Sequence, residues 1–334
     1  MKTKYLFILL LIVVQLSSNC QTTKFNGVSF VASRDQINET HISPVLKVKS
    51  NAVALMPFGF IRNLETPTIT HNSERQWFGE TKAGLLQYAK AFKKHNVKIM
   101  VKPQIWVWRG EFTGNIKMNS EENWKTLEDS YTSFILTYAE AAQEINAELF
   151  CIGTELEKFV LNRPKYWFTL IQKIRKIYKG KLTYASNWDE FKRVSFWSEL
   201  DFIGVDAYFP LSGKKSPSVK DLELGWAAHK EQIKSIQQKF KKPILFTEYG
   251  YRSVHFTGQK PWDSNRVEGD INLEAQVNGI QAIHNQFWKE DWFAGGFIWK
   301  WFHKHDNVGG KNNNRFTPQN KPAEALLTKL YGLN

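Results

Sequence analysis

Two glutamates end strand-like segments of the sequence. Glu155 ends the apolar run at residues 149–155, and Glu248 ends a similar run at residues 244–248. A carboxylate at the end of a buried strand is costly unless it is used. Two opposed carboxyl groups are what glycoside hydrolysis requires: one protonates the leaving oxygen, and the other acts at the anomeric carbon as nucleophile or base.

The elements that position this pair alternate regularly beyond residue 25. Short β-branched or aromatic segments predict eight strands, at residues 27–31, 52–57, 98–102, 149–155, 182–186, 202–206, 244–248 and 296–301. Amphipathic segments predict helices at residues 80–95, 123–144, 164–178, 219–239, 273–288 and 322–330. The pattern predicts an α/β fold, a single-domain (β/α)8 TIM barrel over residues 26–334, with both glutamates at the carboxyl-terminal rim where active sites are built.

The composition excludes some function classes and favours others. The formal charge of +13 comes from single and paired lysines along the whole chain. No dense basic block is present, so no nucleic-acid partner is expected. The aromatic content is high, with 13 Trp, 11 Tyr and 24 Phe. Aromatic rings stack on sugars as well as filling cores. Trp106, in a predicted rim loop at residues 105–122, either stacks on a sugar or packs under its loop.

Six short motifs in barrel order resemble those of glycoside hydrolase family 113. They are Lys102-Pro103-Gln104, Gly153-Thr154-Glu155-Leu156, Ala185-Ser186-Asn187-Trp188, the segment 204–211 (GVDAYFPL), Thr247-Glu248-Tyr249-Gly250 and Phe297-Ile298-Trp299-Lys300-Trp301. The resemblance runs from about residue 26 to residue 302. That family contains β-1,4-mannanases. The paired glutamates after strands 4 and 7 also resemble those of the large clan of retaining (β/α)8 glycosidases.

The resemblance implies roles for the matching residues. Glu155 matches the general acid/base of the family, and Glu248 matches the nucleophile. Tyr208 follows strand 6, where the clan places a tyrosine against the nucleophile. Either Trp299 or Trp301, after strand 8, matches the aromatic residue that forms the floor of the subsite at the cleavage point.

One position departs from the clan's pattern. Most members have Asn before the acid/base glutamate to bind the sugar 2-hydroxyl, whereas this chain has Thr154. We expect Asn187 to supply that contact instead. Lys102 and Arg62, if they reach the site, help to hold Glu248 ionised by Coulomb attraction.

No cofactor and no metal are expected, because no cluster of His and carboxylates at ligand spacing lies near the two glutamates. His303 and His305 invite a metal interpretation, but alternate residues in a loop after strand 8 more often line the rim. Cys151 is expected to be a small buried side chain of strand 4.

The amino terminus predicts export. Residues 1–19 have the basic start, the apolar run and the small polar stretch of a signal peptide. Cys20, with Leu16 four residues before it, resembles the lipidated cysteine of a bacterial lipoprotein; residues 20–25 are then a tether. The only expected contact with a membrane is this lipid anchor, at the periplasm or cell surface. The alternative is a plain secretory signal and a secreted protein.

These observations favour a retaining endo-β-1,4-mannanase that hydrolyses mannan or glucomannan by double displacement. The partner would be a β-linked polysaccharide or oligosaccharide of the mannan type. An exo-β-mannosidase or another β-glycanase on the same barrel is an alternative, because loop lengths set the number of subsites. An alternative of another class is a non-catalytic glycan-binding surface lipoprotein.

Overall fold

Eight parallel strands close into a barrel in the computed structural model of the protein, which describes residues 24–264 and 269–333. The strands are β1 (Phe25–Phe30), β2 (Ala52–Leu55), β3 (Lys98–Val101), β4 (Leu149–Thr154), β5 (Lys181–Asn187), β6 (Ile203–Asp206), β7 (Ile244–Tyr249) and β8 (Phe293–Trp301). Each pairs with its neighbours in chain order, and β8 closes the barrel on β1. All eight predicted strands are confirmed, and the fold is a single-domain (β/α)8 barrel.

The helices lie outside the barrel. They are α1 (Glu39–Lys47), α2 (Lys82–Lys93), α3 (Glu121–Glu144), α4 (Glu157–Asn162), α5 (Pro164–Ile177), α6 (Val219–Phe240), α7 (Leu273–Phe287) and α8 (Pro322–Tyr331). The six predicted helices are confirmed, while α1 and α4 are new. Helix α1 is short and contains Pro44, which obscures the helical pattern. The connection from β5 to β6, described in full, holds only a 3₁₀ turn, Trp197–Glu199.

Side chains of each strand alternate between two apolar layers. Ala52 and Ala54 of β2 belong to a small cluster made only of strand residues, whereas Val53 and Leu55 pack with helix residues in a larger cluster. The small cluster therefore fills the barrel interior, and the large one joins the barrel to its helices. This packing fixes the strand ends on which the site is built.

A three-stranded sheet covers part of the carboxyl-terminal rim. Its strands are Phe58–Ile61, Thr70–His71 and Gln104–Val107, with Phe58–Ile61 in the centre. The sequence predicts loops here, because strands of two to four residues are too short to show a period of two. The sheet matters to the site because Gln104 and Trp106 lie on one of its strands.

The amino-terminal predictions fall outside the described residues. Signal residues 1–19 and the lipidation site Cys20 lie there, so both remain predictions. Strand β1 begins at Phe25, one residue before the expected start of the domain. In the part of the chain that the structure describes, no helix is long and apolar enough to cross a membrane.

Gly27 of β1 pairs with Phe297 of β8 where the barrel closes, and the space beside it is too small for a side chain. A Cβ atom on Gly27 would lie 2.3 Å from the buried ring of Phe297. Gly27→Ala should therefore lower the free energy of unfolding by about 1–3 kcal/mol, the usual cost of overpacking. Gly213 has no atom within 4 Å of its Cβ position, so Gly213→Ala should leave stability unchanged or raise it by up to ~1 kcal/mol. Urea denaturation measures both, and equal midpoints for the two variants would contradict the prediction.

Candidate active site

Glu155 and Glu248 lie at the carboxyl ends of their strands but in different backbone settings. Glu248 lies within β7, in register with Asp206 of β6. Glu155 directly follows β4 in a left-handed conformation, with φ of +51°. Its N–H donates to the carbonyl of Ala185 at 2.8 Å, and its carbonyl accepts from the Thr113 hydroxyl at 3.2 Å. Such a backbone is uncommon outside glycine and persists only where the surroundings hold it.

Three donors surround the carboxylate of Glu248, which is 6% exposed. Lys102 Nζ and Gln104 Nε2 both donate to Oε1, the latter at 3.1 Å. The Tyr208 hydroxyl donates to Oε2 at 2.8 Å. Hydrogen bonds between a charged donor and a carboxylate are among the stronger ones in proteins. Glu248 is therefore held in place with both oxygens directed by neighbouring groups.

The Lys102 ammonium is fully buried between two carboxylates. Besides Glu248, it contacts Asp206 at 3.2 Å and 3.3 Å to the two carboxylate oxygens. Burial would lower the pKa of Lys102, but attraction to Asp206 and Glu248 outweighs it, so the net pKa is raised. Burial, followed by repulsion from Glu248, raises the pKa of Asp206 to about 7, although Lys102 and the Thr247 hydroxyl at 2.6 Å oppose this.

Glu155 has the opposite electrostatic setting. Glu155 keeps some exposure to solvent, although protein atoms surround most of the residue. Burial raises the pKa of Glu155 well above its ordinary value, and Asp206 and Glu248 push in the same direction against the weaker effect of Lys102. The site thus favours a protonated carboxyl at Glu155 beside an ordered carboxylate at Glu248. Two carboxyl groups with divergent environments are the pattern of an acid and a nucleophile or base.

The other predicted site residues differ in whether they contact Glu248. Lys102 and Tyr208 contact Glu248 directly, as described above. Asn187 lies at the end of β5, where its side-chain oxygen accepts from the backbone N–H of Trp188 at 2.8 Å. Trp106 lies on the rim sheet and is 49% exposed. Arg62 is an exposed rim residue rather than a buried neighbour of Glu248.

The two candidate tryptophans of β8 separate clearly. Trp299 is partly exposed near the carboxyl end of the strand, with Lys300 Nζ 5.1 Å from its ring centroid. Trp301 is 0% exposed and packs in the layer between barrel and helices, so its assignment as a sugar contact is wrong. The reason is a register shift: two steps along β1, from Val28 to Phe30, match three along β8. One extra residue reverses the alternation of side chains.

Three motif residues that were not among the predicted site residues become functional candidates in the structure. Gln104 donates to Glu248, and Asp206 balances Lys102; both stood in the motifs but not among the predicted sugar contacts. Gln104 is two positions after Lys102, and this spacing puts both side chains on the same face of an extended chain. That spacing could have identified Gln104 from the sequence. Lys300 is the third: burial lowers its pKa, and attraction to Glu248 opposes that effect.

The two histidines considered for metal binding face carboxylates, and the cysteine considered for thiol chemistry is buried. His303 faces Asp35 at 3.1 Å, and His305 faces Glu324 at 2.8 Å. Within residues 24–264 and 269–333, no group of three or more His, Cys, Asp or Glu is suited to hold a metal ion. Cys151 is buried, and burial raises the pKa of its thiol to about 11.

Comparison with known proteins places this geometry in a family. The model of glycoside hydrolase family 113 matches residues 30–321. A GH113 β-mannanase of Alicyclobacillus acidocaldarius, solved in complex with ManMIm, is 23% identical, with a TM-score of 0.81 and coverage of 93% of this chain and 98% of that one. A GH113 β-1,4-mannanase is 20% identical, with a TM-score of 0.80 and coverage of 93% and 100%.

A more distant barrel shows that the fold extends beyond this family. The β-glucuronidase of Faecalibacterium prausnitzii is 14% identical, with a TM-score of 0.62, and the match covers 93% of this chain and 49% of that one. A search among curated proteins returns no match. The family model spans β2 to β8 and includes both glutamates. The protein therefore belongs to glycoside hydrolase family 113 and is a glycoside hydrolase.

Proposed function

We propose that the protein is a retaining endo-β-1,4-mannanase in which Glu155 is the general acid/base and Glu248 the nucleophile. The observation that carries the proposal is the electrostatic difference between the two carboxyl groups. Glu248 accepts hydrogen bonds from Lys102, Gln104 and Tyr208, whereas burial and negative neighbours favour a proton on Glu155. Family membership and the two mannanases of the same fold support β-1,4-mannan as the substrate.

The chemistry follows from these roles. In the first step, Glu248 attacks the anomeric carbon while Glu155 gives its proton to the glycosidic oxygen, so that the carbon–oxygen bond breaks and a glycosyl-enzyme forms. In the second step, Glu155 takes a proton from water, the water oxygen attacks the same carbon, and Glu248 leaves. Two inversions give net retention of configuration. The three donors around Glu248 hold it on the line of attack.

Binding of a polysaccharide rests on the rim residues. Trp299 is available as the floor of the subsite at the cleavage point, and Asn187 as a contact to the sugar 2-hydroxyl. Trp106 and Trp262 are exposed on different rim segments, and Trp262 stacks on Trp188 with ring centroids 5.2 Å apart. Flat apolar rings with polar neighbours suit the faces of successive sugars. Such a rim supports endo-action within a chain.

The first prediction about activity tests the reaction class, the nucleophile and the polymer together. Wild type should release reducing ends from β-1,4-mannan and glucomannan, with little release from cellulose or xylan. Glu248→Gln should lose about four orders of magnitude in kcat, because no covalent intermediate can form. Glu122→Gln, on the exposed surface of α3, serves as the control and should match wild type.

The outcomes separate the alternatives. Mannose as the sole product from mannohexaose would replace endo-action by exo-β-mannosidase action. Binding to mannan without release of reducing ends over a wide pH range would favour the glycan-binding alternative. Proton NMR of the first-formed anomer reports the stereochemistry, and an α-anomer would overturn the retaining mechanism.

The second prediction concerns proton donation by Glu155. Glu155→Ala should lower kcat/KM on mannohexaose by about 10²–10⁴-fold, since the alkoxide leaving group needs a proton. On a dinitrophenyl β-mannoside, whose leaving group needs none, kcat/KM should stay within about tenfold of wild type. Equal losses on the two substrates would contradict the assignment of Glu155 as the acid.

The third prediction concerns the cation between the carboxylates. Lys102→Met leaves Asp206 and Glu248 side by side without Lys102, so ionisation of both requires a higher pH. The acid limb of the kcat/KM profile should move to higher pH, with a loss of at least about tenfold at neutral pH. Lys98→Met, at the other end of β3, is the matched control and should retain the wild-type profile. An unmoved acid limb in a Lys102→Met protein that is still folded at the assay temperature would refute this role.

A further inference from the structure

A buried tyrosine, Tyr184, accepts a hydrogen bond from the backbone of the turn that carries Glu155. The backbone N–H of Leu156, the residue after Glu155, donates to the Tyr184 hydroxyl at 2.7 Å. A backbone N–H can only donate, so the hydroxyl accepts here and directs its own proton elsewhere. That proton goes to Oε1 of Glu190 at 2.7 Å.

Glu190 ties the same chain of hydrogen bonds to a second turn of the site. Its Oε2 accepts from the backbone N–H of Asn187 at 3.0 Å, and its own N–H donates to the Asn187 carbonyl at 3.0 Å. Glu190 is 1% exposed. Burial raises the pKa of Glu190 to about 8, although the hydrogen bonds from Tyr184 and Asn187 oppose this. Because both oxygens accept, the ionised carboxylate satisfies every partner in the chain.

This chain of hydrogen bonds lies outside the cleft. The Tyr184 ring packs against Trp167, Phe196 and Trp197, on the side of β5 that faces the helices. Tyr184 and Glu190 are both buried there, so neither can touch a sugar bound on the opposite side of the strand. Any influence on the reaction must pass through Glu155 and Asn187.

We infer that Tyr184 and Glu190 act together as a positioning pair, which fixes the Glu155 carboxyl and the Asn187 turn relative to each other across β4 and β5. The inference rests on the proposed role of Glu155 as the acid/base. The left-handed backbone conformation of Glu155 is unfavourable for a residue with a Cβ atom and persists only where neighbouring contacts hold it. The hydrogen bond from Leu156 N–H to Tyr184 is one such contact. A shift of about 1 Å in a catalytic group costs on the order of 10²-fold in rate.

The test compares two buried tyrosines that bond to the backbone of the same strand region. Tyr184→Phe removes the acceptor for Leu156 N–H, whereas Tyr131→Phe removes a 2.9 Å bond to the carbonyl of Ile152 within β4. We expect Tyr184→Phe to lower kcat on mannohexaose by about 10–100-fold with little change in KM. The loss of kcat/KM on a dinitrophenyl β-mannoside should be much smaller, since formation of the glycosyl-enzyme from that substrate needs no proton from Glu155. Tyr131→Phe should keep the wild-type ratio between the two substrates.

Glu190→Gln gives a second, independent readout. On the alkaline limb, where Glu190 is ionised, it adds negative charge near Glu155, together with Asp206 and Glu248 and against Lys102. Removing it should let Glu155 lose its proton more readily, so the alkaline limb of the kcat/KM profile should move to lower pH. Melting temperatures of all three variants monitor folding.

The outcomes distinguish this inference from the proposed function. A purely structural role predicts losses that follow melting temperature, equal on both substrates and with an unmoved alkaline limb; that result would overturn the inference. If Glu155→Ala itself shows no dependence on the leaving group, the proposed role of Glu155 has failed instead. Support requires a leaving-group-dependent loss in Tyr184→Phe that Tyr131→Phe lacks.

Discussion

The buried ammonium group of Lys102 is the interaction on which the site depends. It lies between Asp206 and Glu248, which face each other in register across β6 and β7. Without a cation, two carboxylates so close and so buried would share a proton, and a protonated carboxyl group could not serve as the proposed nucleophile. Breaking a buried ion pair of this kind typically costs about 3–5 kcal/mol, so the lysine also links stability to the ordered site.

The positive charge of Lys102 acts more strongly on Glu248 than on Glu155. Lys102 contacts Glu248 directly, while at Glu155 its effect is smaller than the repulsion from Asp206 and Glu248. One arrangement of charges therefore produces opposite tendencies at two carboxyl groups. The barrel makes this possible because strands from distant parts of the chain end at one rim, so a single lysine after β3 serves residues of β6 and β7.

Much of the fold was predictable because alternating apolar strands and amphipathic helices leave clear periods in the sequence. The glutamates after β4 and β7 were predictable as a pair for the same reason. Helix α1 was missed because Pro44 interrupts its pattern, and the rim sheet was missed because its strands are too short to show a period. Tyr184 and Glu190 carried no signal, since a buried tyrosine in a strand looks like any core residue until its hydroxyl is seen beside Leu156.

The extra residue in β8 has a consequence for how the cleft is engineered. A plain reading of period two treats Trp299 and Trp301 as equivalent, because they are two positions apart. The register shift gives them different neighbours: one borders the cleft and the other belongs to the packed layer under the helices. A library that diversifies Trp301 as well would lower the stability of many of its variants, because each smaller side chain leaves a cavity in the packed layer. A library confined to Trp299 and its neighbour Lys300 changes only residues that are partly exposed.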